Sequence, residues 1–231
     1  MIYDWEQLAS NVHRCRLPFL DVTVGLVVGQ DGALLIDPGS SLSDAAAIAA
    51  DVRNITDDWV THVVLTHRHF DHVLGSSLFA DAEIYCAPEV AQCLSSGTEL
   101  LRADALAYGA DPGEIDRAIA ALRKPDCLTY DAVVDLGDRA VTITHLGLGH
   151  TAADLVVFVP GEPAVVFAGD LIEESGDPQI EADSDLTAWP VTLDRMLELA
   201  SPDTIYVPGH GQVVDAQFVR EQRDWLRAQQ P

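Results

Sequence analysis

Residues 66–72 read Thr-His-Arg-His-Phe-Asp-His, which places the imidazoles of His67, His69 and His72 and the carboxylate of Asp71 within six residues. Neutral imidazole combined with carboxylate is a ligand set for zinc, iron or manganese. Four ligand-type side chains this close are more than one tetrahedral ion takes comfortably, so the spacing H-x-H-x-D-H points to two adjacent metals. A solvated histidine-rich loop has the same composition, and the rest of the chain must decide between the two readings.

Three further segments carry ligand-type residues beside glycine: Gly149-His150-Thr151, Gly169-Asp170 and Pro208-Gly209-His210-Gly211. Each is a weak signal alone. Glycine lets the backbone turn sharply and approach closely, which aiming a side chain at a buried ion requires. Asp37 closes an apolar run, Ala33 to Ile36, in the same manner. The other histidines read differently. His62 and His145 lie on strand patterns as packing residues, and His13 belongs to no motif. Asp177, Asp183 and Asp185 read as a solvated acidic loop.

The elements that must position these residues alternate between strand and helix patterns. Val22 to Val28 and Ala33 to Ile36 are β-rich runs joined by the hairpin signal Gly29-Gln30-Asp31-Gly32. A helix capped by Ser43 runs to about Asn54, and Trp59 to Thr66 reads as a buried strand that delivers the histidine cluster. Further strands are expected at Glu83 to Ala87, Ala132 to Leu136, Ala140 to His145, Asp154 to Val159, Ala164 to Ala168 and Thr204 to Val207. Helices are expected at Pro88 to Leu94, Glu99 to Tyr108, Pro112 to Arg123, Trp189 to Ala200 and Gln217 to Gln229. The first three form a helical insertion at about 88–124. Its apolar positions, Leu94, Leu100, Leu101, Leu106, Tyr108, Ile115, Ile119 and Leu122, suit either the core or one wall of a substrate pocket. No Pro/Ser/Gly-rich linker divides the 231 residues, so one α/β domain spanning 1–231 is expected.

Composition excludes several classes. Net charge is −24 at pH 7, and Lys124 is the only lysine. Nucleic acid and anionic membrane surfaces are therefore not expected partners, because both are bound through cationic side chains. The N-terminus lacks a basic, apolar leader, no apolar stretch reaches membrane-spanning length, and Cys15, Cys86, Cys93 and Cys127 form no C-x-x-C pair, so a cytoplasmic protein with free thiols is expected.

Taken in order, Asp37, His67/His69/Asp71/His72, His150, Asp170 and His210 resemble the five motifs of the metallo-β-lactamase-fold superfamily of metallohydrolases, over nearly the whole chain from Asp37 to Gly211. The resemblance implies an α+β fold, a four-layer αββα sandwich with two divalent ions at one edge, zinc ahead of iron or manganese. It also implies that His67, His69 and His150 hold one ion, that Asp71, His72 and His210 hold the other, and that Asp170 bridges them. Asp37 would orient ligands from behind, and Asp71 would also handle the nucleophile, a hydroxide between the metals.

Departures narrow the branch. An aspartate at 170 resembles the glyoxalase II, lactonase and phosphodiesterase-type branches, whereas one β-lactamase class has a cysteine there and a lysine three residues on, where this chain has Glu173. His69 stands where diiron flavoproteins carry glutamate, and the glutathione-holding C-terminal region of glyoxalase II has little counterpart after His210. The resulting expectation is a hydrolase that uses a dinuclear-metal-bound hydroxide to cleave a small ester, thioester or lactone. A phosphodiesterase-type hydrolase and a mononuclear-iron persulfide dioxygenase using His67, His69, His150 and Asp170 are the alternatives. The partner is a small-molecule substrate, and the oligomeric state is left open.

Overall fold

A computed structural model describes residues 1–57, 59–199 and 201–230. In chain order its strands and helices are β1 (Glu6–Ala9), β2 (Val12–Arg16), β3 (Thr23–Gly29), β4 (Gly32–Ile36), α1 (Leu42–Thr56), β5 (Val60–Val64), α2 (Phe70–Val73), β6 (Glu83–Cys86), α3 (Pro88–Ser96), α4 (Thr98–Ala107), α5 (Pro112–Ala121), β7 (Cys127–Leu128), β8 (Asp131–Asp135), β9 (Ala140–His145), β10 (Leu155–Val159), β11 (Val165–Glu173), α6 (Trp189–Glu198), β12 (Ile205–His210) and α7 (Ala216–Ala228). Among the described residues no helix is long and apolar enough to cross a membrane.

Strands β1 to β7 form one sheet in sequence order, antiparallel through β4 and parallel from β4 to β7. The second sheet has the order β12-β11-β10-β9-β8, with only β11 and β12 parallel. Alternation along β11 explains the layering. Val165 and Phe167 enter the core shared with the first sheet, while Val166 and Ala168 enter a second cluster with Trp189, Leu193 and Met196 of α6 and Val219 and Leu226 of α7. Ala45, Ile48 and Val52 of α1 pack into the first core, which completes the αββα sandwich.

Local chemistry sets the boundaries. Helix α1 starts earlier than a Ser43 cap predicts: the Ser41 hydroxyl accepts from the Asp44 N–H, and Asp57 in the left-handed region closes the helix. Helix α6 begins at Trp189 as expected, while Ala200, the expected end, lies outside the described residues. Strands β1 and β2 carry Glu6, Gln7, His13, Arg14 and Arg16 and so lack the apolar alternation that marks a strand in sequence. Strand β11 runs past Ala168 because Gly169, at φ +52°, takes up a register shift that lets pairing with β12 resume.

The two sheets meet closely at Gly25, where an added Cβ would lie 2.5 Å from the Phe167 ring and 3.0 Å from Ile36 Cδ1. Gly25→Ala should therefore cost about 1–3 kcal/mol of unfolding free energy by overpacking. Denaturant titration of the single variant and of Gly25→Ala/Phe167→Leu should show the second change restoring part of the loss.

Candidate metal centre

The site lies where β4, β5 and β12 end and β11 passes beside them. β4 and β5 are parallel neighbours with Ile36 opposite Val64, so Asp37 and Thr66 leave the sheet side by side despite their separation in sequence. β11 and β12 are likewise parallel, which brings Asp170 and His210 to the same edge. An isolated bridge between Val22 and His210 and a hydrogen bond from the Leu155 N–H to the Thr66 carbonyl (2.8 Å) tie the two sheets at this edge. Asp71 and His72 sit on the single turn of α2, directly after His69.

The structure brings all seven sequence-singled ligand candidates into two groups. One contains His67, His69, His150 and Asp170, the other Asp71, His72 and His210, each with one ligand atom per residue within 4.8 Å of the others. Asp170 stands between them. Its Oδ1 lies 3.2 Å from His72 Nε2, and its Oδ2 lies 3.4 Å from His210 Nε2, 3.5 Å from His150 Nε2 and 3.6 Å from His67 Nε2. Asp71 Oδ2 is 3.4 Å from His210 Nε2.

Outer hydrogen bonds fix the imidazoles. The Leu20 carbonyl lies 2.7 Å from His210 Nδ1 and the Gln179 carbonyl 3.1 Å from His150 Nδ1. A carbonyl only accepts, so Nδ1 carries a proton at both and Nε2 is the nitrogen turned inward. Asp37 accepts from the Thr66 N–H (2.8 Å), the Thr66 hydroxyl (2.6 Å) and His72 Nδ1 (3.0 Å), and Thr66 Oγ1 in turn meets His67 Nδ1 at 3.0 Å. Asp37 itself is held at φ +52°, a strained conformation for a residue with a side chain, and one that aims its carboxylate beneath the histidines. His69 is reversed: its Nδ1 faces His150 Nε2 at 3.0 Å, and its Nε2 faces outward.

Divalent cations fit this arrangement. His67 Nε2 and Asp170 Oδ1 are buried without a hydrogen-bond partner, and imidazole nitrogens point at one another across 3.0 Å (His69 and His150) and 3.3 Å (His72 and His210). Ring nitrogens and carboxylate oxygens converging this closely in a buried space suit a shared cation. Electrostatics says the same. Burial drives His67 far below the usual histidine range, and burial reinforced by His150 takes His69 down to about 3. At His210 burial is outweighed by Asp170 and Asp71, which push it up to about 10. At His72, against the same burial, Asp170, Asp71 and Asp37 push the pKa well above the ordinary value. Asp170 is itself held far below the carboxylate range, since His72, His210 and His67 outweigh its burial.

The remaining residues fall as follows. His145 and His62 lie on β9 and β5 and His13 on β2, all away from the two groups. Sequence reasoning missed the carbonyl tethers of Leu20 and Gln179, which leave no side-chain signal. It also missed Arg14, which is buried and donates to the Gly211 carbonyl (2.9 Å) and to Gln212 Oε1 (2.9 Å), anchoring the turn behind His210. A cleft of about 210 Å³ opens over the centre, and Leu20, Phe70, Tyr108, Asp104, Asp177 and Glu181 are among its lining residues. The helical insertion thus contributes Asp104 and Tyr108 to the wall, whereas Leu101 and Ile115 are wholly buried in the core. The acidic loop divides its work: Asp177 lines the cleft, Asp183 pairs with Arg68 at 2.8 Å, and Asp185 accepts from the N–H groups of Thr187 and Ala188.

Comparison with known proteins gives the family. The metallo-beta-lactamase superfamily profile matches residues 17–210. The chain belongs to that superfamily of metal-dependent hydrolases. A solved metallo-beta-lactamase from Pontibacter korlensis superposes with a TM-score of 0.71 over 98% of this chain and 100% of that one, at 20% identity, a likeness of fold. The metallo-beta-lactamase type 2 of Bacteroides fragilis is 33% identical over 85 residues, covering 36% of this chain and 34% of that protein. The type 2 enzyme of Bacillus cereus is 23% identical over 170 residues, covering 73% of this chain and 58% of that one. The chain therefore spans about a third and under three-fifths of the lengths of these two relatives.

Two outcomes test the geometry. A Cβ at Gly209 would fall on Asp170 Oδ1 and crowd the Gly169 carbonyl carbon at 2.9 Å, so Gly209→Ala should abolish tight metal retention, read by elemental analysis after gel filtration, while far-ultraviolet circular dichroism stays native. Asp37→Asn keeps a residue type tolerant of positive φ but gives up the carboxylate's charge, so metal affinity should fall about 10- to 100-fold.

Proposed function

We propose that the chain is a two-cation hydrolase of small, partly apolar carboxylic esters, thioesters or lactones, with zinc as the resident metal. The observation that carries this reading is the position of Asp170 between two separate groups of imidazoles beneath a cleft. Two nitrogen- and oxygen-lined half-sites sharing one carboxylate suit a pair of divalent ions better than a single one. Bound there, such ions supply Lewis acidity toward a carbonyl oxygen and lower the pKa of water to about 7.

The chain's own residues supply the rest. Asp71, buried at the cleft floor, orders the attacking water and takes its proton. Water oxygen adds to the carbonyl carbon, the bond to the leaving oxygen or sulfur breaks, and Asp71 returns the proton to that leaving atom. Leu20, Phe70 and Tyr108 supply the apolar surface against which the acyl part lies and water is excluded. No lysine or arginine is among the cleft-lining residues, which supports a neutral scissile carbonyl over an anionic phosphodiester. The net charge of −24 supports a small molecule, in place of nucleic acid or an anionic membrane, as the partner. The four cysteines are unpaired, which suits a reducing cytoplasm.

Elemental analysis of protein purified without chelator should give about two zinc ions per chain. A reproducible single iron with no second metal on reconstitution would replace this reading with the mononuclear dioxygenase. At a free-ion concentration a thousandfold above Kd, each of two ions contributes about 4 kcal/mol, so chelating both should lower the thermal midpoint by about 15–20 °C. Across acyl esters, lactones, glutathione thioesters, bis-aryl phosphodiesters and β-lactams, esters or lactones should be turned over fastest, and preference for the phosphodiesters or β-lactams would refute the choice of bond. Asp71→Asn at full metal loading should lose about 10²- to 10⁴-fold in kcat, and wild-type turnover would remove Asp71 from the mechanism.

A further inference from the structure

The wall of the cleft above the two groups is acidic. Asp104 comes from α4, Glu173 from the end of β11, and Asp177 and Glu181 from the segment that follows it, and all four line the cleft. The nearby cation is Arg68, and it is already engaged: its Nε and Nη2 reach Asp183 Oδ2 at 2.9 and 2.8 Å. Even with Arg68 and Asp183 counted together as neutral, the wall keeps its negative charge, and a chain of net charge −24 offers no long-range compensation.

The rim is also incomplete. Asp183 Oδ1 is buried with no hydrogen-bond partner, since Arg68 uses only Oδ2. His69, which lines the cleft, has its Nε2 buried and unpartnered 3.6 Å from Glu181 Oε2. His69, Glu181 and Asp183 each aim one polar atom to within 4.8 Å of the others. Carboxylates lining one cleft with no lysine or arginine among the lining residues favour a ligand that carries positive charge. Beside the rim, the rings of Phe70 and Tyr108 stand 6.0 Å apart and both line the cleft. Burial pushes the Asp104 carboxyl above its ordinary pKa, so a cation bound beside it would be repaid by relieving that penalty.

We propose that the cleft selects substrates bearing a protonated amine on the side away from the scissile carbonyl and turns away those bearing a carboxylate, through Asp104 and Glu181. This deepens the reading of the cleft as the mouth of a divalent-cation centre and rests on it. At a few ångströms and the effective dielectric of a partly exposed site, each unit of substrate charge should change affinity by about tenfold or more. The ammonium group lies against Glu181 and Asp104, which both line the cleft, while the apolar stem crosses Phe70 and Tyr108.

The test uses three straight-chain alkyl hydroxamates of matched length, which grip divalent ions whatever bond the enzyme cleaves, ending in a methyl, an ammonium or a carboxylate. Calorimetric titration of the zinc-loaded protein should rank the ammonium tightest, with at least about a tenfold advantage over the carboxylate, shrinking in high salt. In Asp104→Asn and Glu181→Gln, checked for unchanged zinc content, that ratio should fall to within about threefold. Equal affinity for the three tails, a carboxylate preference, a ratio unmoved in both variants, or no binding of any hydroxamate would each overturn the proposal. Ester and lactone turnover is measured apart from this. An ammonium preference without turnover leaves the charge selection standing and removes the choice of bond, and turnover without the preference does the reverse.

Discussion

One carboxylate constrains this molecule more than any other group. Asp170 is buried among four imidazoles that approach it within 3.2–3.6 Å. A buried carboxylate is tolerable only when surrounded by positive charge or donors, yet burial pushes His67 far below the usual histidine range and its Nε2 has no hydrogen-bond partner. Against their burial, Asp170 and Asp71 push His72 and His210 upward, so the fold is built around a cavity whose charge balance calls for cations.

The sandwich meets that demand through strand direction. The two groups draw on residues just after β5, within β11, at the end of β12 and before β10, and parallel pairing of β4 with β5 and of β11 with β12 brings sequence-distant residues to one edge. Asp37 then links the first sheet to the histidine cluster through Thr66 and His72, so the strained aspartate transmits the position of β4 directly to two ligands. The cost of its positive φ is local, and the cooperative packing of the two sheets sustains it.

Much of this was legible in the sequence because ligand chemistry is local. His67, His69, Asp71 and His72 announce themselves by type and spacing, and the glycines beside His150, Asp170 and His210 mark sharp turns after strand-like runs. The two-residue hairpin at Gln30-Asp31 was equally readable from its flanking glycines. Strands β1 and β2 were not, since β1 is held by β2, and β2 by β3 and by the engagement of Arg14 with the His210 turn, contacts that leave no apolar alternation in the sequence. Nor could helical periodicity decide which insertion residues face the cleft. Leu101 and Tyr108 lie on the same helix or its cap, and only tertiary packing buries the first and presents the second.

Two of the ligand histidines are steadied by main-chain oxygens, those of Leu20 and Gln179. Every amino acid supplies such an oxygen, but Leu20 holds a φ of +59°, which few side chains tolerate, so only the tether on His150 is indifferent to the side chain that provides it. Gln179 also lines the cleft. Evolution can therefore exchange the side chain at 179, and with it the shape of what is admitted, while the imidazole keeps its tether: there, substrate range and metal retention are separately heritable.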